Sequence, residues 1–318
     1  MASLLPLERE LGVSTLWPEV RKLYGHGSEL VCIASTAQCN NNTTNSNQQS
    51  SSSPIIVASA CKARDVNQAS IRLWNVDKGI CVAVLQGGHQ STVATLSFSP
   101  NSKFLASSGK DRRLCLWQQQ QSSSCNDNQN PEWTLVAAQD GAHKRIVWSL
   151  HFCPFHNNTI ASGARDGLVK IWNIVKRDDD DDDEMVEGIK EVFSFRAHSK
   201  TGKKAEAITA VAFAPIPIQS SASSPENKRA MLAIGLENGL IELWSVLLFS
   251  SSSNDSVVGC QILHVLPKHN CHVATVKKLA WRPYQFQTQQ EEEDDDGIEK
   301  KKMETTLVLA SCGADHGV

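Results

Sequence analysis

The sequence contains little that would place the chain in a membrane or in a helical fold. None of its apolar stretches approaches the length of a transmembrane helix, and no segment of useful length shows helical periodicity. The short apolar run 4–7 is followed at once by the charged residues 8–10, which argues against a signal peptide. We therefore expect no membrane association.

Motifs for metal and cofactor chemistry are equally scarce. The ten cysteines include no Cys-x-x-Cys pair, which favours reduced thiols in an intracellular protein. The segment His-Asn-Cys-His at 269–272 resembles a zinc cluster by composition only. The acidic run 178–183 lacks the spaced oxygens and the glycine of a calcium loop, and no glycine-rich phosphate loop is present. We expect no metal, no cofactor and no small-molecule substrate.

The main feature that the sequence does contain is a repeat of roughly forty residues. From His89 and from His143, eleven residues lead to a proline, then to Leu-Ala-Ser or Ile-Ala-Ser, to an aspartate, and six residues later to a tryptophan. Two partial copies keep the same spacing. His272 lies eleven residues before Pro283, and Asn238 lies six residues before Trp244. Short alternating segments that recur in this way are typical of β-propeller blades, each a four-stranded sheet with strands a to d running outward.

The pattern resembles the WD-repeat family, and the resemblance implies a buried hydrogen-bond network in each complete blade. In that network an aspartate accepts from a histidine, the histidine meets a serine of strand b, and the serine meets the tryptophan indole, so that no buried polar group is left unpaired. The serine lies four residues before the aspartate in both full copies. The predicted sets are His89, Ser107, Asp111, Trp117 and His143, Ser162, Asp166, Trp172.

Serine, histidine and aspartate together also suggest a hydrolase. However, we expect the strand-b serine to be buried, and it lacks the strained turn that exposes a nucleophile. An enzyme is therefore the least favoured interpretation, and no residue is assigned a catalytic role. In the fourth blade Ile234 takes the serine position, so no full network is expected there.

The repeats predict an all-β fold, a WD-repeat β-propeller of four blades and a partial fifth, forming an open arc from a larger seven-bladed ring. In the fifth blade Asp315 would be the turn aspartate, and the matching tryptophan would fall beyond Val318. We expect unpaired strand edges at both ends, which favour aggregation. The predicted segments are an N-terminal lead at 1–16, an orphan outer strand at 17–25, blade 1 at 26–87, blade 2 at 88–141, blade 3 at 142–197, blade 4 at 198–268 and partial blade 5 at 269–318.

A narrower resemblance is to the second propeller of the family of second subunits of the Elongator complex. The residues that carry it are 16–27, 58–63, 69–74, 98–101, 110–112 and 143–149. The resemblance implies a non-catalytic scaffold in an assembly that modifies wobble uridines of transfer RNA. The implied partners are other Elongator subunits, with transfer RNA as a further candidate, and the implied locations are the cytoplasm and the nucleus. The alternative is a WD-repeat adaptor of another assembly, such as a ubiquitin-ligase substrate receptor or a chromatin complex.

The two faces of the predicted propeller differ in composition. Six low-complexity inserts fall in the links between strands a and b or between strands c and d, which share one face. Two of them, 178–184 and 291–296, hold thirteen acids, and without these the formal charge would change from −3 to +10. The opposite face is a candidate partner surface, although an ordinary solvated surface is the alternative. Its predicted basic residues are Lys62, Arg64, Lys110, Arg112, Lys144, Arg145 and Lys203.

Overall fold

A computed structural model describes residues 21–36, 54–120, 132–176, 185–197, 206–218, 229–248, 259–283 and 307–315. These residues form eighteen β-strands and two short 3-10 helices, and no α-helix occurs within the described ranges. The strands make four antiparallel sheets of four strands each and one sheet of two strands. The prediction of an all-β fold with four blades and a partial fifth is confirmed.

The strands follow each other within each sheet in the order a to d. In blade 1 they are β1 (Leu30–Ser35), β2 (Ile56–Cys61), β3 (Ile71–Asn75) and β4 (Ile80–Leu85). Blade 2 has β5 (Val93–Phe98), β6 (Phe104–Gly109), β7 (Leu114–Gln119) and β8 (Trp133–Gln139). Blade 3 has β9 (Val147–Phe152), β10 (Thr159–Ala164), β11 (Leu168–Lys176) and β12 (Val186–Arg196). Blade 4 has β13 (Ile208–Ile218), β14 (Arg229–Leu236), β15 (Ile241–Leu247) and β16 (Cys260–Val265), and blade 5 has β17 (Val276–Trp281) and β18 (Leu309–Gly313).

Each blade packs on the next mainly through its inner strand, in the order β1, β5, β9, β13 and β17. Apolar side chains from the facing sheets fill the space between two blades. Between blades 2 and 3, for example, Phe104 and Leu116 meet Leu150 and Ile160, all of them buried. Complete burial of such a side chain stabilises the fold by about 1.5–3 kcal/mol. The alternation along each strand therefore supplies one apolar face to each of the two neighbouring blades.

The orphan outer strand predicted at 17–25 does not form in the part that can be described. Residues 17–20 lie outside the described ranges, and residues 21–25 have no strand conformation. The guanidinium of Arg21 donates instead to the carbonyl of Asp77 at 2.7 Å, and Gly25 lies against the Trp74 ring. The prediction was wrong for these residues because no described strand lies beside them to complete a hydrogen-bonded ladder.

Every inner strand carries an irregularity at the same place in its register. In blade 3, Val147 pairs with Ala164 and Ser149 with Gly163, so that Trp148 is the extra residue of a β-bulge. The same shift follows the first residue of the other four inner strands. We call these extra residues the inner bulge row: Val31, Ala94, Trp148, Thr209 and Lys277.

Side chains of one inner strand accept hydrogen bonds from the backbone of the next. Thr95 Oγ1 accepts from the N–H of Leu150 at 3.0 Å, and Ser149 Oγ accepts from the N–H of Val211 at 3.0 Å. Inner strands are sheet edges, so these backbone groups have no partner within their own blade. Two residues further along each strand, Ser97 Oγ accepts from the N–H of Phe152 at 3.0 Å, and His151 Nδ1 accepts from the N–H of Phe213 at 3.1 Å.

His151 can serve as an acceptor only while its Nδ1 carries no proton. Burial and, to a smaller extent, the positive charge of Lys278 lower the pKa of His151 to about 4, so the ring is neutral at neutral pH. At the corresponding places in blade 4, Ala210 and Ala212 cannot accept a hydrogen bond through their methyl groups. Blades 4 and 5 are joined by different bonds: the Thr209 hydroxyl donates to the Val276 carbonyl at 2.6 Å, and the Trp281 indole N–H donates to the Ala212 carbonyl at 3.0 Å.

We expect Ser149→Ala to lower the free energy of unfolding by about 1–3 kcal/mol, because the buried N–H of Val211 loses its acceptor. Thr134→Ala is the control, since Thr134 Oγ1 accepts only an exposed bond from Gln120. That change should cost less than about 0.5 kcal/mol. Urea unfolding of the full chain measures both values, and equal losses would contradict a role for Ser149 between the blades.

Candidate functional site

The structure brings the four predicted residues of blade 2 together in one buried network. His89 Nδ1 lies 2.8 Å from Asp111 Oδ2, and His89 Nε2 lies 2.8 Å from Ser107 Oγ. The indole N–H of Trp117 donates to the same Ser107 oxygen at 2.9 Å. The arrangement fits a histidine that donates from Nδ1 to the carboxylate and accepts the serine hydroxyl at Nε2. Every polar atom of the four side chains that faces the core then has a partner.

Blade 3 repeats this geometry. His143 Nδ1 lies 3.2 Å from Asp166 Oδ2, and His143 Nε2 lies 2.7 Å from Ser162 Oγ. The indole N–H of Trp172 donates to Ser162 Oγ at 2.8 Å. Trp172 belongs to the apolar cluster between blades 2 and 3, so the network lies at the interface with the preceding blade.

The two aspartates also fix the links that surround them. Asp111 accepts from the backbone N–H groups of Gln90 and Arg113, as Asp166 accepts from those of Lys144 and Leu168. Burial alone would raise the pKa of Asp111 and of Asp166, but the hydrogen bonds from the histidine and from the two backbone N–H groups hold the pKa below its ordinary value. Both groups are therefore carboxylates at neutral pH, with side chains only 6% and 7% exposed.

Blade 1 holds a shorter version of the network that sequence analysis missed. His26 Nε2 lies 2.8 Å from Ser59 Oγ, and the indole N–H of Trp74 donates to that oxygen at 2.7 Å. Fifteen residues separate Ser59 from Trp74, whereas ten separate the pair in blades 2 and 3. The difference arises because the b–c link contains a 3-10 helix, Val66–Gln68. In blade 5, His272 lies 3.0 Å from Asp315 and 2.9 Å from Ser311.

In blade 4 a different type of residue accepts the hydrogen bond from the tryptophan indole. The indole N–H of Trp244 donates to Glu242 Oε2 at 2.9 Å, and the Glu242 side chain is completely buried. Ile234, in the serine position, pairs with Glu242 on the neighbouring strand. Sequence analysis missed Glu242, although an acid two residues before the tryptophan, where blades 2 and 3 have Cys115 and Lys170, is a detectable signal.

The hydrolase alternative finds no support in the position of the serines. Ser107 is fully buried and Ser162 is 1% exposed, so neither hydroxyl faces a space that a substrate could enter. Within the described ranges no group of three or more histidine, cysteine or acidic residues is placed to hold a metal ion. No helix in the described part is long and apolar enough to cross a membrane.

The candidate partner surface lies at the d–a and b–c links. Arg64, Lys110, Arg112, Lys144 and Arg145 are all exposed there. Lys62 is exposed too, but it pairs with Glu29 at 3.6 Å. Lys203 lies outside the described residues. We define the basic sector as the exposed basic residues of blades 2 and 3 on this face: Lys110, Arg112, Lys144, Arg145 and Arg165.

Arg112 adopts a backbone conformation that costs free energy. Its φ is +63°, in the left-handed region, whereas Gly167 and Gly239 occupy the same turn position in blades 3 and 4 with φ of +75° and +86°. A residue with a side chain in this region costs roughly 1–2 kcal/mol relative to its preferred conformation. Among the described residues no contact of the Arg112 guanidinium offsets that cost. Strain of this kind at an exposed charge is a reason to suspect a binding role.

Comparison with known proteins agrees with the repeat pattern. The family model of the WD domain, G-beta repeat, matches residues 79–118 and 133–173. Elongator complex protein 2 of Drosophila melanogaster is 33% identical over 314 residues, which is 98% of this chain and 31% of the relative. The human protein of that name is 31% identical over 98% of this chain and 33% of its own length, and that of Dictyostelium discoideum is 32% identical over 87% and 26%. The chain thus spans about a third or less of these relatives, and the predicted resemblance is confirmed.

We expect Asp166→Ala to lower the free energy of unfolding by about 1–3 kcal/mol, because His143 and two backbone N–H groups lose their acceptor. Asn238→Ala should cost less, since Asn238 accepts only one exposed bond, from the N–H of Leu240. Thermal unfolding of both variants compares the two positions. Equal shifts in Tm would count against the network as the source of stability.

Proposed function

We propose that the chain is a non-catalytic scaffold of the Elongator complex, because it contains WD repeats and is similar along most of its length to one part of Elongator complex protein 2. In this role it supports the modification of wobble uridines in transfer RNA through contacts with other subunits. The observation that carries the proposal is the similarity itself, at 31–33% identity over 87–98% of the chain in three distant eukaryotes. The cytoplasm and the nucleus are the proposed locations.

The face that carries the basic sector is the proposed contact surface. The Asp111 and Asp166 carboxylates are hydrogen-bonded to histidines in the buried networks, and no ion pair joins them to a described cation of the basic sector. Asp140, the exposed acid nearest in sequence to Lys144, pairs with Arg113 at 2.5 Å. The basic sector therefore carries an excess of positive charge, which attracts acidic protein surfaces or RNA phosphates.

The position of the inserts favours the same face. The a–b and c–d links hold the six low-complexity inserts, most of whose residues lie outside the described ranges. Chain that must be ordered or displaced on binding adds an entropic cost. The d–a and b–c links of blades 2 and 3 are short and are held by backbone bonds such as that from Ala142 to the Arg112 carbonyl at 2.9 Å. A partner meets a preformed surface there.

A WD-repeat adaptor of another assembly is the second candidate, because the fold and the networks would be the same. Affinity purification of the full chain separates the two proposals. Recovery of the catalytic Elongator subunit supports the first, whereas recovery of a ubiquitin-ligase or chromatin complex without Elongator subunits supports the second.

Charge reversal of Lys110, Arg112, Lys144 and Arg145 to glutamate should reduce recovery of the Elongator subunits, and more strongly at low salt, where charges are least screened. The matched control reverses Lys78 and Lys190, which are exposed away from this face. Deletion of 40–53 should leave recovery nearly unchanged.

A second variant separates binding from folding in this experiment. Arg112→Gly relieves the left-handed strain, so it should preserve the free energy of unfolding or raise it by up to about 1 kcal/mol while recovery falls. If the deletion abolished recovery and the reversals had no effect, the partner surface would be on the opposite face.

A further inference from the structure

Trp148 is more exposed to solvent than the other tryptophans of the described ranges. Its relative exposure is 36%, whereas Trp74, Trp117, Trp133, Trp172 and Trp244 are at most 9% exposed and Trp281 is partly buried. A large indole is normally placed against the core, where it contributes most to stability. Nor does any described residue form a hydrogen bond with the Trp148 indole. More than a third of this large apolar surface therefore remains accessible to a partner.

The bulge of the inner strand accounts for this exposure. Trp148 is the extra residue of β9, and a bulge turns its side chain out of the regular alternation between the two blade faces. On either side, Val147 and Ser149 point into the protein and are buried. Two other members of the inner bulge row are also exposed, Lys277 and, at 44%, Val31, whereas Ala94 and Thr209 are only partly exposed.

Trp148 lies on the innermost strand of blade 3, beside the links that carry part of the basic sector. It lies three residues after Arg145 in a chain segment whose d–a link carries the exposed Lys144 and Arg145. The backbone N–H of Arg165 donates to the carbonyl of Ile146 at 2.9 Å, which brings the b–c turn of the same blade beside this link. The exposed Lys144, Arg145 and Arg165 thus lie on the two links next to the start of β9, which carries Trp148, and the Asp166 carboxylate is hydrogen-bonded to His143.

We propose that Trp148 anchors an acidic peptide segment of a partner protein on this face. An apolar or aromatic side chain of the peptide packs against the indole, and its carboxylates pair with Lys144, Arg145 and Arg165. The proposal rests on the proposed function in one respect, because it assumes that this face is the one that meets a partner. An aromatic anchor within a charged rim is the usual arrangement of a binding hot spot.

The geometry favours a peptide over single-stranded RNA. Proteins that bind single strands stack successive bases on several aromatic side chains along a basic groove. Among the described residues of blades 2 and 3, which carry the basic sector, Trp148 is the only exposed aromatic side chain. A single exposed indole, with no second exposed aromatic in these two blades, suits one inserted side chain rather than a row of stacked bases.

The test measures binding of three labelled probes to the full chain by fluorescence polarisation. The probes are an acidic heptapeptide of glutamate and aspartate with a central phenylalanine, the same peptide with a central glycine, and an oligouridylate of twelve nucleotides. We expect the phenylalanine peptide to bind more tightly than the glycine peptide, by about tenfold for an aromatic contact of this kind. Trp148→Ala should abolish that preference, and Trp148→Phe should retain most of it.

Leu135→Ala is the matched control, because Leu135 has a similar exposure of 39% but lies on the outer strand of blade 2. It should leave the preference intact. Equal affinity of the wild-type chain for the two peptides, or a preference that survives Trp148→Ala, would overturn the proposal. Tighter binding of the oligouridylate that depends on Trp148 would overturn it in favour of RNA.

The outcomes also separate this inference from the proposed function. If charge reversal of the basic sector removes the Elongator subunits but the peptides show no preference, the scaffold role stands and the anchor does not. If the preference is present and depends on Trp148 but no Elongator subunit is recovered, the anchor stands and the scaffold role fails.

Discussion

One serine hydroxyl in each complete blade holds together parts of the chain that are far apart in sequence. Ser107 Oγ receives the indole N–H of Trp117 on the next strand and meets His89 from the preceding link, and Asp111 fixes that histidine. A buried polar group left unpaired costs about 1–3 kcal/mol, so the four residues are stable only as a set. Because the set joins the inner links to strands b and c, it also determines how each blade meets its neighbour.

The networks determine which charges remain for binding. The turn aspartates are bonded inside the networks, so the cations that flank them face solvent and outnumber the nearby carboxylates. The inner-strand bonds from Thr95 and Ser149 hold blades 2, 3 and 4 in register, and the basic sector lies on blades 2 and 3. A platform for partners needs this combination of a fixed backbone and excess surface charge. The strained backbone of Arg112 and the exposed indole of Trp148 lie on the same face.

Sequence reasoning succeeded where spacing is regular and failed where the chain departs from it. The sets of blades 2 and 3 could be found because ten residues separate serine from tryptophan in both. The serine of blade 1 was missed because a 3-10 helix lengthens its b–c link, and Glu242 was missed because a carboxylate replaced the serine as the indole acceptor. Trp148 could not be distinguished from a core tryptophan, since a bulge is visible only once the pairing register is known. The strand predicted at 17–25 required a neighbouring strand to form a hydrogen-bonded ladder, and the repeat pattern contains no such strand.

The most direct test of the buried networks is the exchange of tryptophan indole hydrogens with solvent, followed by NMR on the full chain. The indole hydrogens of Trp117 and Trp172 donate to buried serines, so they should exchange only through large-scale opening of the blades, at rates close to those of the slowest backbone amides. The indole hydrogen of Trp148 should exchange rapidly under the same conditions. If Trp117 and Trp172 exchanged as fast as Trp148, the networks could not be what holds the blades together.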